Sequence, residues 1–144
     1  MNISSSQLSF RTKGRTDIID ITREVSAKVE QSGIKEGHVL IFVPGSTGSV
    51  TSIEFEPGLI ADLKDIIEKI VPEGKTYRHD ERWGDGNGYS HVRAALLGPS
   101  LSVPVIEGRL ALGTWQQIVF IDFDNRPRDR KVLVQVTGVR SSQT

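Results

Sequence analysis

The sequence predicts an α+β fold in which mostly antiparallel sheets are covered by about three helices. Strand-like segments follow one another over short turns along most of the chain, which favours antiparallel pairing over parallel pairing with helical crossovers. Residues 57–70 repeat apolar side chains every three or four positions and form the clearest helix. We therefore expect three helices and seven or eight strands in a single domain covering residues 1–144.

The first half of the chain is predicted to alternate strands with two helices. Leu8 and Phe10 alternate with polar neighbours and indicate an opening strand. Thr22 offers a hydroxyl that can cap the first helix, Gly33 can end it, and Pro57 fits the first turn of the second helix. The predicted elements are strands at residues 17–21, 39–43 and 50–55, and helices at residues 22–32 and 57–70.

The second half begins with a polar, irregular segment at residues 74–87. A short helix is predicted at residues 89–97, where Gly98 and Pro99 close it. The remaining predicted strands are residues 101–105, 109–112, 117–123 and 131–139. The polar residues 124–129 form the turn between the last two strands.

Charge and cysteine content limit the possible functions. Lys plus Arg number 18, as do Asp plus Glu, so no global field attracts nucleic acid or membranes. The basic run at residues 126–131 can hold a phosphate, although we interpret it as a charged turn. The chain has no cysteine, which excludes disulfides, thiolate ligands and cysteine nucleophiles. Without a visible signal or membrane span, a cytoplasmic protein is expected.

The polar segment from His79 to His91 is the strongest candidate for a functional site. It contains two of the three histidines, together with carboxylates, an asparagine and Trp83. Such a segment in a compact domain is either functional or a solvated loop, and its histidine spacing matches no metal signature. His91 lies near a predicted helix start, which keeps an imidazole neutral and attracts anions. It can equally be a histidine that packs at a helix end.

Two other patterns are weaker candidates. Trp115 and Gln116, within the Gly-Thr-Trp-Gln run at residues 113–116, can hold a flat ring or plug the end of a sandwich. Glu54 and Glu56 share one face of a predicted strand, where they can bind a cation or simply face solvent.

Three motifs together resemble the YjbQ-like family, also described as secondary thiamine-phosphate synthase enzymes. The motifs are Tyr-Arg-His-Asp at residues 77–80, Ser-His-Val-Arg-Ala-Ala-Leu-Leu-Gly-Pro-Ser at 90–100 and Gly-Arg-Leu-Ala-Leu-Gly-Thr-Trp-Gln at 108–116. The resemblance covers nearly the whole chain. It implies a β-sandwich-like α+β fold that assembles as a homotrimer, with sites near subunit boundaries.

The resemblance also implies a transferase reaction on small phosphorylated metabolites. Hydroxymethylpyrimidine diphosphate would be joined to thiazole phosphate, giving thiamine phosphate and pyrophosphate. Backbone N–H groups near His91 would hold phosphate. The expected catalytic residues are His79, His91 and Glu54, and the expected substrate-binding residues are Ser46, Thr47, Asn87, Ser90, Thr114, Trp115 and Gln116. The alternative is a non-catalytic protein that binds phosphate, a metabolite or a metal.

One departure from the family pattern affects the expected metal. Many members carry His-Thr-Thr or His-Thr-Ser after a Val-Pro strand end, whereas residues 45–47 here are Gly-Ser-Thr. Zinc held by three histidines is therefore not expected. His79 and His91 can still bind a divalent ion, Mg²⁺ or Zn²⁺, completed by carboxylate or water, or the site can bind an anion without a metal.

Overall fold

The computed structural model describes residues 1–141, and the remaining part of the predicted domain, residues 142–144, lies outside the described residues. The elements, in chain order, are β1 (Asn2–Arg11), β2 (Asp17–Asp20), α1 (Thr22–Ser32), β3 (Glu36–Phe42), β4 (Gly48–Ile53), α2 (Pro57–Ile70), α3 (Arg78–Trp83), α4 (Gly88–Leu97), β5 (Ser100–Ile106), β6 (Arg109–Leu110), β7 (Gln117–Asp122) and β8 (Asp129–Val139). The α+β prediction is confirmed.

Two antiparallel sheets form the scaffold. The larger sheet has the strand order β1-β8-β3-β5-β6, and the smaller has the order β2-β7-β4. One apolar core joins the two sheets and α1, with Val25, Val39, Phe120 and Val134 among its buried members. A second core lies between the smaller sheet and the helices α2 and α4, with Ile67, Ala94 and Ile121 among its members. The molecule is therefore sandwich-like, with helices on the outer face of the smaller sheet.

Strand β7 is the element that both cores share. Ile118 and Phe120 belong to the first core, whereas Val119 and Ile121 belong to the second. Residues 118–121 are buried on both faces of the sheet and are all apolar, which explains why this part of the strand shows no polar alternation. Its pairing with β4 runs from Gly48 opposite Asp122 to Ile53 opposite Gln117. The two ends of this ladder carry different candidate site residues.

The structure differs from the predicted elements in three places. The described residues contain a fourth helix, α3, within the segment predicted to be irregular; it has no buried residue and therefore no apolar repeat. Thr22 does not cap α1, because its hydroxyl donates to Asp20 Oδ1 at 2.6 Å instead. Strand β4 ends at Ile53, before the two glutamates.

Glu56 is the N-cap residue of α2, whereas the sequence predicted it to be a strand residue. The Glu56 carboxylate accepts hydrogen bonds from the N–H groups of Gly58 and Leu59, each at 2.8 Å. These bonds lower the pKa of Glu56 below its ordinary value. The predicted pairing of Glu54 and Glu56 on one strand face is therefore wrong, since Glu56 caps α2. Among the described helices, none combines the length and apolar character that crossing a membrane requires.

Substitution of Gly37 by alanine should destabilise the larger sheet. A Cβ at Gly37 would overlap the backbone of Thr137 and Gly138 on β8. Overpacking of this kind costs about 1–3 kcal/mol. The matched control is Gly74→Ala, because a Cβ at Gly74 meets no atom within 4 Å. Thermal unfolding should show a lower midpoint for Gly37→Ala; equal midpoints for both variants would contradict the close approach.

Candidate functional site

The end of β7 carries two buried carboxylates. Asp122 and Asp124 have relative exposures of 0% and 1%. A buried carboxylate is strongly destabilising unless it is paired and hydrogen-bonded. Arg130 compensates Asp122 with bonds from Nε at 2.7 Å and Nη2 at 2.8 Å. Thr12 adds a hydroxyl donor at 2.5 Å, so this carboxylate is fully engaged.

Asp124 gathers groups from three other segments. It accepts hydrogen bonds from Arg128 Nε at 2.8 Å, Thr47 Oγ1 at 3.2 Å and Asn87 Nδ2 at 3.3 Å. Burial alone would raise the pKa of Asp124, but the bonds from the Asn125 N–H, Asn87 and Arg128 outweigh it and hold the pKa below its ordinary value. Asp124 is therefore an ionised anchor that fixes the start of α4.

The two histidines of the predicted site lie against each other. The ring centroids of His79 on α3 and His91 on α4 are 4.5 Å apart, at an interplanar angle of 36°. Asp80 links the two helices, because its Oδ1 accepts from the Gly88 N–H at 2.8 Å. Gly88 permits this approach, since a Cβ there would lie 2.7 Å from Tyr77 Cβ. The structure thus brings both histidines into one place.

His91 is held in its neutral form. Burial lowers the pKa of His91 below its ordinary value, and the neighbouring His79 lowers it further, against smaller opposing effects of Asp124, Asp85 and Asp80. The expectation of a neutral imidazole agrees with this direction, although burial is the main cause. A neutral imidazole has one nitrogen that accepts and one that donates.

His79 belongs to a group that can hold a cation. Its Nδ1 lies 3.2 Å from Asp80 Oδ1 and 3.5 Å from Asp85 Oδ1. One ligand atom from each of these three residues lies within 4.8 Å of the others. An imidazole nitrogen with two carboxylates suits a divalent ion such as Mg²⁺ or Zn²⁺. His91 is not part of this group, so the described residues bring one histidine and two carboxylates together, and the predicted pair of histidine ligands stays a prediction.

A cavity of about 270 Å³ opens beside His91, lined by Gly45, Ser46, Gly48, His91, Ala94, Ala95 and Pro99. Gly45 contributes only backbone to this wall, and a Cβ built there would lie 3.7 Å from Arg130 Nη1. Ser46 is exposed at this cavity. The walls are mostly small and apolar, which suits a flat ring with one or two polar edges.

Two predicted substrate-binding hydroxyls serve the fold instead. Ser90 is fully buried and its hydroxyl donates to the carbonyl of Phe123. Thr47 is also buried, and its hydroxyl donates to Asp124 while accepting from Arg130 at 2.8 Å. Both side-chain hydroxyls are therefore engaged within the fold, and their roles in substrate binding stay predictions.

The predicted phosphate position at the start of α4 is also filled. The Gly88 N–H already donates to Asp80, and the Ser90 N–H donates to the Asn87 carbonyl at 2.9 Å. A carboxylate at a helix N-terminus takes the place that an anionic ligand would use. Two of the backbone N–H groups at the start of α4 are therefore already engaged within the chain.

Comparisons with known proteins support the motif resemblance. The model of the family described as UPF0047 protein YjbQ-like matches residues 6–139. A UPF0047 protein from Archaeoglobus fulgidus is 45% identical over 129 residues, covering 90% of this chain and 98% of the relative. A UPF0047 protein from Methanothermobacter thermautotrophicus is 41% identical over 138 residues, covering 96% and 94%.

The chain belongs to the YjbQ-like family. Solved structures agree: a YbjQ-like protein of unknown function from Sulfolobus solfataricus superimposes with a TM-score of 0.86 at 31% identity, covering 96% of this chain and all (100%) of the other. A hypothetical protein from Aeropyrum pernix gives a TM-score of 0.87 at 30% identity, covering 94% and 99%. These relatives confirm the family fold.

The third part of the predicted site lies elsewhere in this YjbQ-like chain. Thr114, Trp115 and Gln116 precede β7, and Gln116 donates to Ser52 Oγ at 3.1 Å near the end of β4. Because the β4–β7 ladder is antiparallel, this turn and exposed Glu54 lie at the ladder end opposite Asp122. Five residue steps separate the ends, roughly 17 Å. One chain therefore does not form a single pocket from the histidines and this turn.

Sequence reasoning missed the carboxylates that organise the site. Asp122 and Asp124 end an otherwise apolar buried run, and Arg128 and Arg130 follow after a short turn. A carboxylate at the end of a buried strand needs a cation close by. The two aspartates, together with the arginines that follow them, could therefore have indicated this cluster from the sequence. The basic turn was interpreted as solvated, yet two of its arginines serve these buried charges.

Loss of the Arg130 charge should strongly destabilise the protein. Arg130→Gln leaves the buried Asp122 carboxylate without its cation, which costs about 3–5 kcal/mol. The matched control is Arg11→Gln, because the Arg11–Asp129 pair has side-chain exposures of 68% and 83%. Loss of that pair should cost less than about 1 kcal/mol. Chemical denaturation measures both, and Asp122→Asn in the Arg130→Gln background should restore part of the loss.

The stability of the protein should fall with acidification through His91. The native pKa of His91 is lowered, so the unfolded chain binds the proton first, near its ordinary pKa of about 6.5. The contribution is fully present above that value and is lost as pH falls through the native pKa. His91→Gln should reduce the drop in thermal midpoint between about pH 8 and pH 5. His38→Gln, at an exposed position, is the matched control; a drop that stays the same in His91→Gln would exclude His91 as its source.

Proposed function

We propose that this chain is a thiamine-phosphate synthase-like transferase, which joins hydroxymethylpyrimidine diphosphate to thiazole phosphate and releases pyrophosphate. The observation that carries the proposal is the cavity in which neutral His91 faces the glycine-rich loop at residues 45–48. Membership of the YjbQ-like family fits this reaction. The proposed location is the cytoplasm, in keeping with the absence of cysteine.

The cavity fits the ring of the pyrimidine substrate. Ala94, Ala95 and Pro99 provide apolar walls, and the small residues of the loop leave room for a planar group. His91 presents one accepting and one donating nitrogen, which can match the ring nitrogen and the amino group of an aminopyrimidine. The Ser46 hydroxyl is an additional polar group at the rim.

The proposed step needs charge stabilisation rather than a nucleophile from the protein. The bond between the methylene carbon and the diphosphate oxygen breaks, and its electron pair leaves with pyrophosphate. The lone pair of the thiazole nitrogen forms the new C–N bond, so the nitrogen becomes positively charged and no proton has to move. Positive groups placed at the leaving oxygen would lower the barrier most. A divalent ion at His79, Asp80 and Asp85 would supply such charge when bound.

We propose a homotrimer in which neighbouring chains complete the site. Trp115 is 74% exposed and Phe55 is 40% exposed, so the far end of the β4–β7 ladder presents aromatic surface. Exposed aromatic residues of this kind are typical of contact surfaces. In a trimer, Trp115 and Gln116 of one copy would reach the His91 cavity of the next and stack on the substrate ring.

A non-catalytic metal- or metabolite-binding protein is the second candidate. The group formed by His79, Asp80 and Asp85 favours it, because that group can hold a divalent ion without any reaction. Elemental analysis of the purified protein, and thermal shifts with Zn²⁺, Mg²⁺ and phosphate, would detect such binding. Stabilisation without turnover would favour this candidate over the transferase.

The transferase is tested with purified protein, Mg²⁺ and the two precursors. Thiamine phosphate and pyrophosphate should form in equal amounts. His91→Ala and His79→Ala should each lower kcat at least about a hundredfold, the order expected when a stabilising polar group is removed. His38→Ala is the matched control, since His38 is exposed on β3. Product formation by the protein with both substitutions would exclude a catalytic role for these histidines. If the wild-type protein formed no product, the transferase activity itself would be excluded.

Mixed subunits test whether neighbouring chains share the site. His91→Ala and Trp115→Ala chains should each be inactive alone. After co-refolding, mixed trimers contain boundaries with an intact His91 cavity and an intact Trp115, so part of the activity should return. A monomer by sedimentation, or mixtures with no regained activity, would contradict a shared site.

A further inference from the structure

A second cavity, of about 310 Å³, is lined by Asp85, Asn87, Asn125, Arg126 and Arg128. We propose that it binds a diphosphate group together with a divalent cation. The inference rests on the proposed function in one respect: there, this diphosphate would be the leaving group of the pyrimidine substrate. Its binding chemistry can be tested without any turnover.

The two arginines differ in how they are engaged. Arg128 is oriented by Asp124, which accepts from its Nε and Nη2, each at 2.8 Å. Arg126 is exposed, and among residues 1–141 it makes no side-chain hydrogen bond or ion pair. An oriented guanidinium beside an unengaged one provides the planar donors that phosphate oxygens prefer.

The surroundings of Asn87 indicate that the ligand includes a cation as well as negatively charged phosphate groups. Its side chain is 6% exposed, and Nδ2 donates to Asp124. Oδ1 is buried and, among the described residues, has no hydrogen-bond partner. A buried acceptor without a donor is costly and rare. A bare phosphate oxygen cannot satisfy it, whereas a cation or a cation-bound water can.

Asp85 connects this cavity to the histidine site. It lines the cavity, and its Oδ1 lies 3.5 Å from His79 Nδ1, within the group that can hold a cation. Mg²⁺ is commonly held by one or two carboxylates together with substrate phosphates. A cation on the Asp85 side would thus be shared by the protein and the diphosphate.

The contact between Asn87 and His91 links this cavity to the one that faces the ring. The His91 N–H donates to the Asn87 carbonyl at 3.4 Å, so the two side chains lie one helical turn apart at the start of α4. Because the Gly88 N–H at the helix N-terminus already donates to Asp80, the arginine cavity is the position that we assign to the diphosphate. A substrate can place its ring in one cavity and its diphosphate in the other.

Calorimetric titration of the full-length protein with pyrophosphate, with and without Mg²⁺, tests the proposal. Magnesium pyrophosphate should bind more tightly than pyrophosphate alone. Arg126→Gln should weaken binding about tenfold or more, as expected when a charge-assisted bond is lost. The matched control is Arg109→Gln, because Arg109 lines a different cavity of about 600 Å³ between α1 and β6. Equal weakening by both substitutions, or no binding at millimolar magnesium pyrophosphate, would overturn the proposal.

The Asp85→Asn variant tests the contribution of the cation separately from that of the arginines. It removes a charge and keeps the shape, so it should abolish the advantage of magnesium pyrophosphate while metal-free pyrophosphate still binds. If the magnesium dependence were unchanged, the cation would bind elsewhere, and the proposed cation position at Asp85 would be overturned. Binding without thiamine phosphate formation supports this cavity and counts against the transferase, whereas turnover without pyrophosphate binding does the reverse.

Discussion

The structure depends on the compensation of two carboxylates at the buried end of β7. A strand that lies between two apolar cores cannot leave Asp122 and Asp124 unpaired, because each uncompensated charge would cost several kcal/mol. Each partner is drawn from a different element: Arg130 from β8, Thr47 from the loop before β4, and Asn87 from the start of α4. The β1–β2 connection joins them through Thr12. One electrostatic requirement therefore fixes four segments that are distant in sequence.

The position of the two imidazoles follows from that requirement. Asn87 is held against Asp124 one turn before His91, so α4 begins at a defined point over the smaller sheet. Asp80 then joins α3 to the first N–H of α4 and brings His79 onto the ring of His91. The same burial that packs α4 on the sheet keeps His91 neutral. The site is thus hydrogen-bonded to Asp124 just beyond the end of β7 and open toward the loop at residues 45–48.

Sequence patterns predicted the elements better than the site. Apolar periodicity identified α2, and the helix predicted at residues 89–97 is found as α4, because burial of one face leaves a repeat that can be recognised. Helix α3 left no such signal, since none of its residues is buried. The histidine pair was located by its polar surroundings. The hydroxyls of Ser90 and Thr47 hold the fold together, which sequence alone could not show, because a hydroxyl can serve the fold or a ligand and only tertiary contacts reveal its partners.

The ligand atoms available at the site favour an oxygen-rich cation environment. Position 45 is a glycine and offers no side-chain nitrogen to a cation. The ring of His91 stacks on His79 and lies outside the group of possible ligands, so a second nitrogen is absent from that group among residues 1–141. What remains is His79 with Asp80 and Asp85. Asn87, whose Oδ1 has no hydrogen-bond partner among the described residues, lines the same cavity as Asp85. Zinc prefers several nitrogen or sulfur ligands, whereas magnesium accepts carboxylates, amide oxygens and phosphates. This group of ligand atoms therefore suits magnesium better than zinc.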